Sequence, residues 1–424
     1  MQNGHKVSAE SAVRLACRGS RIYVAGCLGE PSAVLDVASA DPDLWQDMRI
    51  TGVHVPGVNE RDLSAIGRRT TVETIFATAG LRPRRSSGRV ELMPLHYSTY
   101  EAWVRSAGTI DIAYFNVTKP RGDGTVGLGP SADFTPSVLA GGAGAVGIIN
   151  TNLPDVPDGP RYPLDRFEAF VESGAAMVGY DAGEPDAPTE AIAELIRAQI
   201  GAGDTIQLGL GKLQTAVLRR LEGMRGLGFH GGMLSGAFIE ANRSGAFELG
   251  VTSGVALGHA DFLAEVARQP NVRFRPVSFT HAAGVLANIP NLVSINSVLE
   301  IDLYGQANAE FMGDIQVSGH GGMVDFVRGA RASAGGRSIL ALPSAARDGS
   351  VSRIVPSLSS TNPISVARSD IDLVATEHGI VNLRNMGTEG RAEALISIAA
   401  PQFRDRLATA WHGRHKTNQH GRAG

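Results

Sequence analysis

Short apolar runs that alternate every second residue are separated along this chain by stretches whose apolar positions fall three and four apart. Strand-like runs at Arg21 to Ala25, Ile110 to Val117 and Ala145 to Asn150 alternate with helix-like ones through residues 1–180. That alternation predicts an α/β layer architecture. Near Asp181 to Pro188 the sequence DAGEPDAP loses hydrophobicity and gathers Gly, Pro and acids, the composition of a linker. Thr189 then reads as the cap of a helix whose apolar positions Ile192, Leu195, Ile196 and Ile200 keep helical spacing up to Gly201. A strand at Thr205 to Leu208 opens the second half. The expected domains are therefore 1–184 and 185–411. The remainder, 412–424, is polar and basic without periodicity and reads as a frayed tail.

The halves echo one another weakly. GTIDIAYFNV (Gly108 to Val117) and SDIDLVATEHG (Ser369 to Gly379) share an Ile-Asp-Ile/Leu strand, consistent with duplication of one α/β unit. A period of two also runs through Ile295, Ser297, Leu299, Ile301 and Leu303, predicting one strand with a buried face and Glu300 on the other. A carboxylate beside such a run is costly to bury unless it is paired or used. Glu300 is thus either a solvated or salt-bridged strand residue or a working carboxylate.

Composition narrows the function classes. Of 424 residues, 43% are hydrophobic and 19% charged, as in ordinary globular proteins. A formal net charge of -3 supplies no basic field for nucleic acid. Cys17 and Cys27 stand alone without a CxxC or Cys/His cluster, which argues against a disulfide framework or a zinc site. His230, His259, His281, His320 and His378 show no HxxxH or HExxH spacing, so they read as structural residues. MQNGHKVSAES has no apolar core and no stretch approaches a membrane span, so a cytoplasmic location is expected.

Two glycine loops could bring backbone amides to a ligand. Gly209 and Gly211 lie between a strand and a helix bearing Leu213, Val217 and Leu221, where amides at a helix N-terminus face whatever binds. Gln214 replaces the third glycine of a dinucleotide fingerprint, and Lys212-Leu213 fails the P-loop pattern. A plain tight turn remains the alternative. Gly319, Gly321 and Gly322 precede Met323 and a helix carrying Arg328 and Arg331. Arg328 reads either as a phosphate contact or as the partner of a nearby carboxylate. No GxSxG elbow supports a Ser-His-Asp hydrolase.

Several of these stretches, in order, resemble the acetyl-CoA hydrolase/CoA-transferase family, and within it the 4-hydroxybutyrate CoA-transferase group. SINSVLEIDLYGQANAE (Ser294 to Glu310) with SGHGGMVDFVRGA (Ser318 to Ala330) is similar to the family's SINSALEVDLTGQVNAE and SGxGGQVDFVRGA. LPSAARDGSVSRIVP, DLVATEHGIVNLR and RAEALISIAAPQFRDRL continue the pattern downstream. Upstream, IQLGLGKLQTAVL resembles LQLGIGxIPxAVL, and GDGTVGLGPSAD resembles DxHGxxSLGxSxD.

The resemblance implies two similar open α/β domains, class I CoA-transferase-like, with the active site in the cleft between them. It implies Glu300 as nucleophile, attacking an acyl-CoA carbonyl to give an anhydride and then a glutamyl-CoA thioester. The amide of Gly379, in the TExG turn, would help form an oxyanion hole. Gln306 would hydrogen-bond nearby, a structural amide being the alternative. Gly209, Gly211, Gly321, Gly322, Met323 and Arg328 would contact coenzyme A. No permanently bound cofactor or metal is called for. Acyl-CoA and a small carboxylic acid are the expected partners, with no nucleic acid or membrane, in a homodimer.

One departure stands out. The family's HTEM-SDG stretch is HGGMLSGA here (His230 to Ala237), with Gly232 and Gly236 in place of acids. Three readings follow: a CoA-transferase, an acyl-CoA thioesterase in which water takes the intermediate, and a non-catalytic acyl-CoA-binding homologue.

Overall fold

The computed structural model describes residues 5–82 and 87–420, with the side chains of residues 414–420 left out. Its frame is a pair of eight-stranded sheets. The first runs, in spatial order, His5–Lys6, Ala169–Ser173, Gly144–Asn150, Ile112–Val117, Arg21–Val24, Arg49–Thr51, Thr71–Thr74 and Val90–Leu92. All its neighbours are parallel. The second runs Val272–Phe274, Val251–Leu257, Gly228–Ser235, Thr205–Leu208, Leu292–Ser297, Arg337–Ala341, Leu373–Thr376 and Gly379–Asn382. It is parallel except for the last hairpin.

Both sheets are wound the same way. Apart from the short edge strand His5–Lys6, with which the first sheet begins, an inner strand leads, three strands follow outward on one side, and the chain then returns to add strands outward on the other. The duplication thus appears in the topology. The pair of segments that echo in sequence do not occupy matching places, however. Ile112–Val117 corresponds to Leu292–Ser297, next to the first strand, whereas Leu373–Thr376 lies two strands farther out.

Strand Thr205–Leu208 falls where its sequence puts it. The expected single run from Ile295 to Leu303 breaks in two. Leu292–Ser297 ends inside the large sheet, and Glu300–Asp302 begins a separate three-stranded sheet with Ala307–Asn308 and Ile354–Val355. The helix Ala187–Arg197 is capped by Asp186 rather than Thr189. The Asp186 carboxylate accepts from Thr189 N at 3.0 Å and from Thr189 Oγ1 at 2.6 Å, satisfying a helix-terminal donor. The stretch read as a tail is helical as far as His420, continuing the helix Pro401–His420; residues 421–424 lie outside the described residues.

The two halves share one apolar core. Tyr23, Phe115 and Phe134 from the first belong to the same buried cluster as Ile206, Phe229 and Val255 from the second. Backbone bonds cross the same seam. Ala132 N donates to Gly254 O at 2.9 Å and Val277 N donates to Asp133 O at 3.0 Å. The side chain of Asp133 is buried there, and burial pushes its carboxyl up to about 7.

That shift has a sign. An unfolded Asp titrates near 4, so the native state keeps a proton that the unfolded chain releases. The stabilisation from this group is complete below about pH 4 and is lost as pH rises through about 7. We predict that Asp133→Asn flattens this decline across that window in a pH series of thermal melts. Equal slopes in variant and wild type would contradict it.

Candidate functional site

A cavity of about 270 Å3, to which both halves contribute, opens at the seam. Val55, Phe76 and Tyr97 come from the first. Gly209, Gln214, Gly232, His281 and the loop Gly319 to Met323 come from the second. The loop is pressed against its surroundings at backbone distance. A Cβ on Gly319 would lie 1.8 Å from Ile75 O, and one on Gly322 would lie 2.2 Å from His281 Nε2. Only glycine lets the backbone approach this closely. Tyr97 N donates to Gly321 O at 3.1 Å, a direct tie between the halves.

Two helices begin at this point. Tyr97–Arg105 is held by Asp325, whose carboxylate accepts from Ser98 N at 3.1 Å and Ser98 Oγ at 2.6 Å. Met323–Ala332 starts at Gly322 with no side-chain cap. The first amides of an α-helix have no partner within it, so this terminus presents donors and partial positive charge beside the cavity.

His281 is fully buried between Tyr97 and Phe326, with ring centroids 4.9 and 4.5 Å away. Its Nδ1 pairs with Thr280 Oγ1 at 2.9 Å. Burial first, then the neighbouring His230, brings its pKa down to about 3, so the ring is neutral. Burial also pushes the Tyr97 phenol well up, and its hydroxyl has no hydrogen-bond partner. Gln214 donates to Ser297 Oγ at 3.3 Å while its own Oε1 is buried and unpartnered. Among the residues lining the cavity there is no Asp, Glu, Lys or Arg.

Charge stands next door. A second cavity of about 270 Å3 shares Leu210, Gln214 and Ser297 with the first and is lined by Gly211, Lys212 and Arg353. Arg353 donates from Nη1 to Leu299 O at 3.3 Å, and its buried Nε has no partner. A larger cavity of about 700 Å3 lies against the linker. Asp181, Glu184, Glu222 and Glu240 line it, with Arg219 paired to Glu184 at 2.8 Å, which makes it unsuited to phosphates.

The residues singled out from sequence divide accordingly. Gly209, Gly321, Gly322 and Met323 meet in the neutral cavity, and Gly211 lines its charged neighbour. Glu300, Gln306, Gly379 and Arg328 line neither. Glu300 is half-buried at the head of its short strand, where Oε2 accepts from Asn308 Nδ2 at 3.3 Å. Gln306 closes a turn on Asp302, donating from N and from Nε2 at 2.9 Å each. Gly379 opens the last, antiparallel strand, paired with Thr376 at the sheet edge. Arg328 is largely exposed and pairs with Asp370 at 2.9 Å, the carboxylate alternative. Glu377 likewise serves structure, accepting from Ser344 N and Oγ at 2.8 and 2.6 Å.

Tyr97, His281 and Arg353 were missed. Each is distant in sequence from the glycine motifs it joins. Among the described residues no group of His, Cys, Asp and Glu is placed to hold a metal ion, and no helix is long and apolar enough to cross a membrane.

Comparison with known proteins agrees with the duplicated α/β frame. Residues 3–161 match the acetyl-CoA hydrolase/transferase N-terminal domain and residues 258–411 the acetyl-CoA hydrolase/transferase C-terminal domain. The 4-hydroxybutyrate coenzyme A transferase of Clostridium kluyveri is 30% identical, over 95% of this chain and 96% of that protein. An acetyl-CoA hydrolase of Saccharomyces cerevisiae is 25% identical, over 78% of this chain and 74% of that protein. The crystal structure of RipA from Yersinia pestis superposes with a TM-score of 0.89 at 27% identity, over 97% of this chain and 98% of that one. With both halves matched in order on a duplicated α/β frame, the chain belongs to the acetyl-CoA hydrolase/transferase family, whose related members are CoA-transferases and acetyl-CoA hydrolases.

Proposed function

We propose that this protein is an acyl-CoA:carboxylate CoA-transferase that works in the cavity between the two sheets. The observation that carries the reading is the pairing of a neutral, donor-lined cavity with a cationic one, open to the same strand ends. Coenzyme A needs such a division. Its thioester must sit where water is excluded and an oxyanion can be stabilised, while its phosphates need cations and helix-terminal amides. The loop Gly321 to Met323 supports the first requirement; Gly211, Lys212 and Arg353 support the second. A homodimer in the cytoplasm, without a resident metal, is the setting this reading expects.

Hydrolysis is the second reading, favoured by the related acetyl-CoA hydrolases. The same cavity would serve it, with water in place of the acceptor acid. His281, held neutral and weakly basic by its burial, is poorly suited to activate that water.

A covalent route through Glu300 asks that its carboxylate leave Asn308 and enter a cavity it does not line. The resting arrangement favours transfer without it. Glu300→Gln is therefore expected to keep kcat/KM for CoA transfer within about threefold of wild type, whereas loss of an essential nucleophile costs a factor of about a thousand or more. A collapse of that size, with the fold intact by circular dichroism, would restore Glu300 as nucleophile. Arg353→Ala is expected to raise KM for acyl-CoA by about tenfold with little change in kcat, since charge-assisted bonds contribute about 1.5–3 kcal/mol. An unchanged KM would remove Arg353 from the coenzyme site.

A further inference from the structure

Resting on that reading, we propose that the space over Gly232 is the subsite for the acceptor's carboxylate, and that the acceptor attacks the thioester directly. Gly232 lies in strand Gly228–Ser235 and lines the neutral cavity. A Cβ there would stand 3.1 Å from His281 Cε1 and 3.4 Å from His281 Nε2, so a side chain at this position would point into the cavity. The related pattern has an acid here, and this chain has none. No other lining residue brings a carboxylate to replace it.

What surrounds the vacated space is built for an anion. The Tyr97 hydroxyl is buried, 3% exposed at the residue, and unpartnered. The uncapped start of Met323–Ala332, whose Gly322 and Met323 line the same cavity, supplies backbone amides. Asp325, in the first turn of that helix, is turned away and occupied by Ser98. A small carboxylate fits these donors as a neutral or cationic ligand would not.

The chemistry then closes without an enzyme acyl group. A carboxylate oxygen of the acceptor attacks the thioester carbonyl, the C–S bond breaks, and the coenzyme leaves as thiolate, giving a mixed anhydride. The thiolate attacks the acceptor's carbonyl, the C–O bond on that side breaks, and the donor acid leaves as carboxylate. No oxidant, reductant or net proton is needed. Both substrates must be present together, so the kinetics are sequential.

Two measurements test this. In the first, butyrate is titrated calorimetrically into protein saturated with CoA. Wild type is expected to bind it, Tyr97→Phe to bind about three- to tenfold more weakly, and Gly232→Glu not at all. Tyr97→Phe keeps the ring packing, so the test stands even if Gly232→Glu does not fold. No binding by wild type, or equal binding by wild type and Tyr97→Phe, would overturn the subsite. In the second, initial rates are measured over a grid of acetyl-CoA and butyrate. Intersecting double-reciprocal lines are expected, and parallel lines would overturn direct attack. Absence of CoA transfer altogether would instead overturn the proposed function, while the titration still decides the subsite.

Discussion

Everything at the candidate site depends on how closely two backbones approach at the seam. Residues Gly319 to Gly322 lie against Ile75, Phe76, Tyr97 and His281 at distances that leave no room for a Cβ at Gly319 or Gly322. Their closeness fixes the helix Met323–Ala332 so that its amides open onto the cavity, and it ties that helix to the first half through Tyr97 and Ser98. The shared apolar core behind the seam holds the arrangement in register. A side chain at Gly319 would press against Ile75 of the first half, whereas one at Gly322 would displace His281 within the second.

The second constraint is electrical. The neutral cavity is lined by polar groups but by no Asp, Glu, Lys or Arg, and its His320 lies 3.3 Å from Glu310. The cationic groups are displaced to the adjoining space around Lys212 and Arg353. A thioester lying across both would put its phosphates among cations and its carbonyl among neutral donors. In such a setting the acid–base strength of protein side chains matters less than the exclusion of water and the aim of fixed dipoles.

Much of the frame was legible in sequence, and the failures have physical causes. Thr205–Leu208 was clear because a short apolar run is bounded by Gly and Asp. The run from Ile295 to Leu303 misled because alternation reports which face a residue takes, not which sheet it joins; the chain changes sheets at Val298 and Leu299 without breaking phase. Asp186 displaced Thr189 as cap because both are good capping residues and the Pro at 188 suits the first turn just after Asp186. The end of the chain reads as frayed from its own polarity, although the helix that carries it is anchored by Phe403, Leu407 and Trp411, four residues apart. For the site, the glycine loops announced themselves, since close approach needs that residue type. Tyr97, His281 and Arg353 could not, because a buried phenol, imidazole or guanidinium becomes a site only by whom it meets. Glu300 draws attention as a carboxylate in a motif, and at rest it accepts a bond from Asn308.

The most direct test of a cavity that transfers CoA without a protein carboxylate is an isotope experiment. Enzyme in excess is mixed with unlabelled acyl-CoA and an acceptor acid labelled with 18O in its carboxylate, and the donor acid released in the first turnover is analysed by mass spectrometry. Direct attack predicts one 18O in that acid, since the bridging oxygen of the mixed anhydride comes from the acceptor. Donor acid released without label, with 18O recovered on a glutamate of the protein, would contradict the account and return the chain to a covalent route.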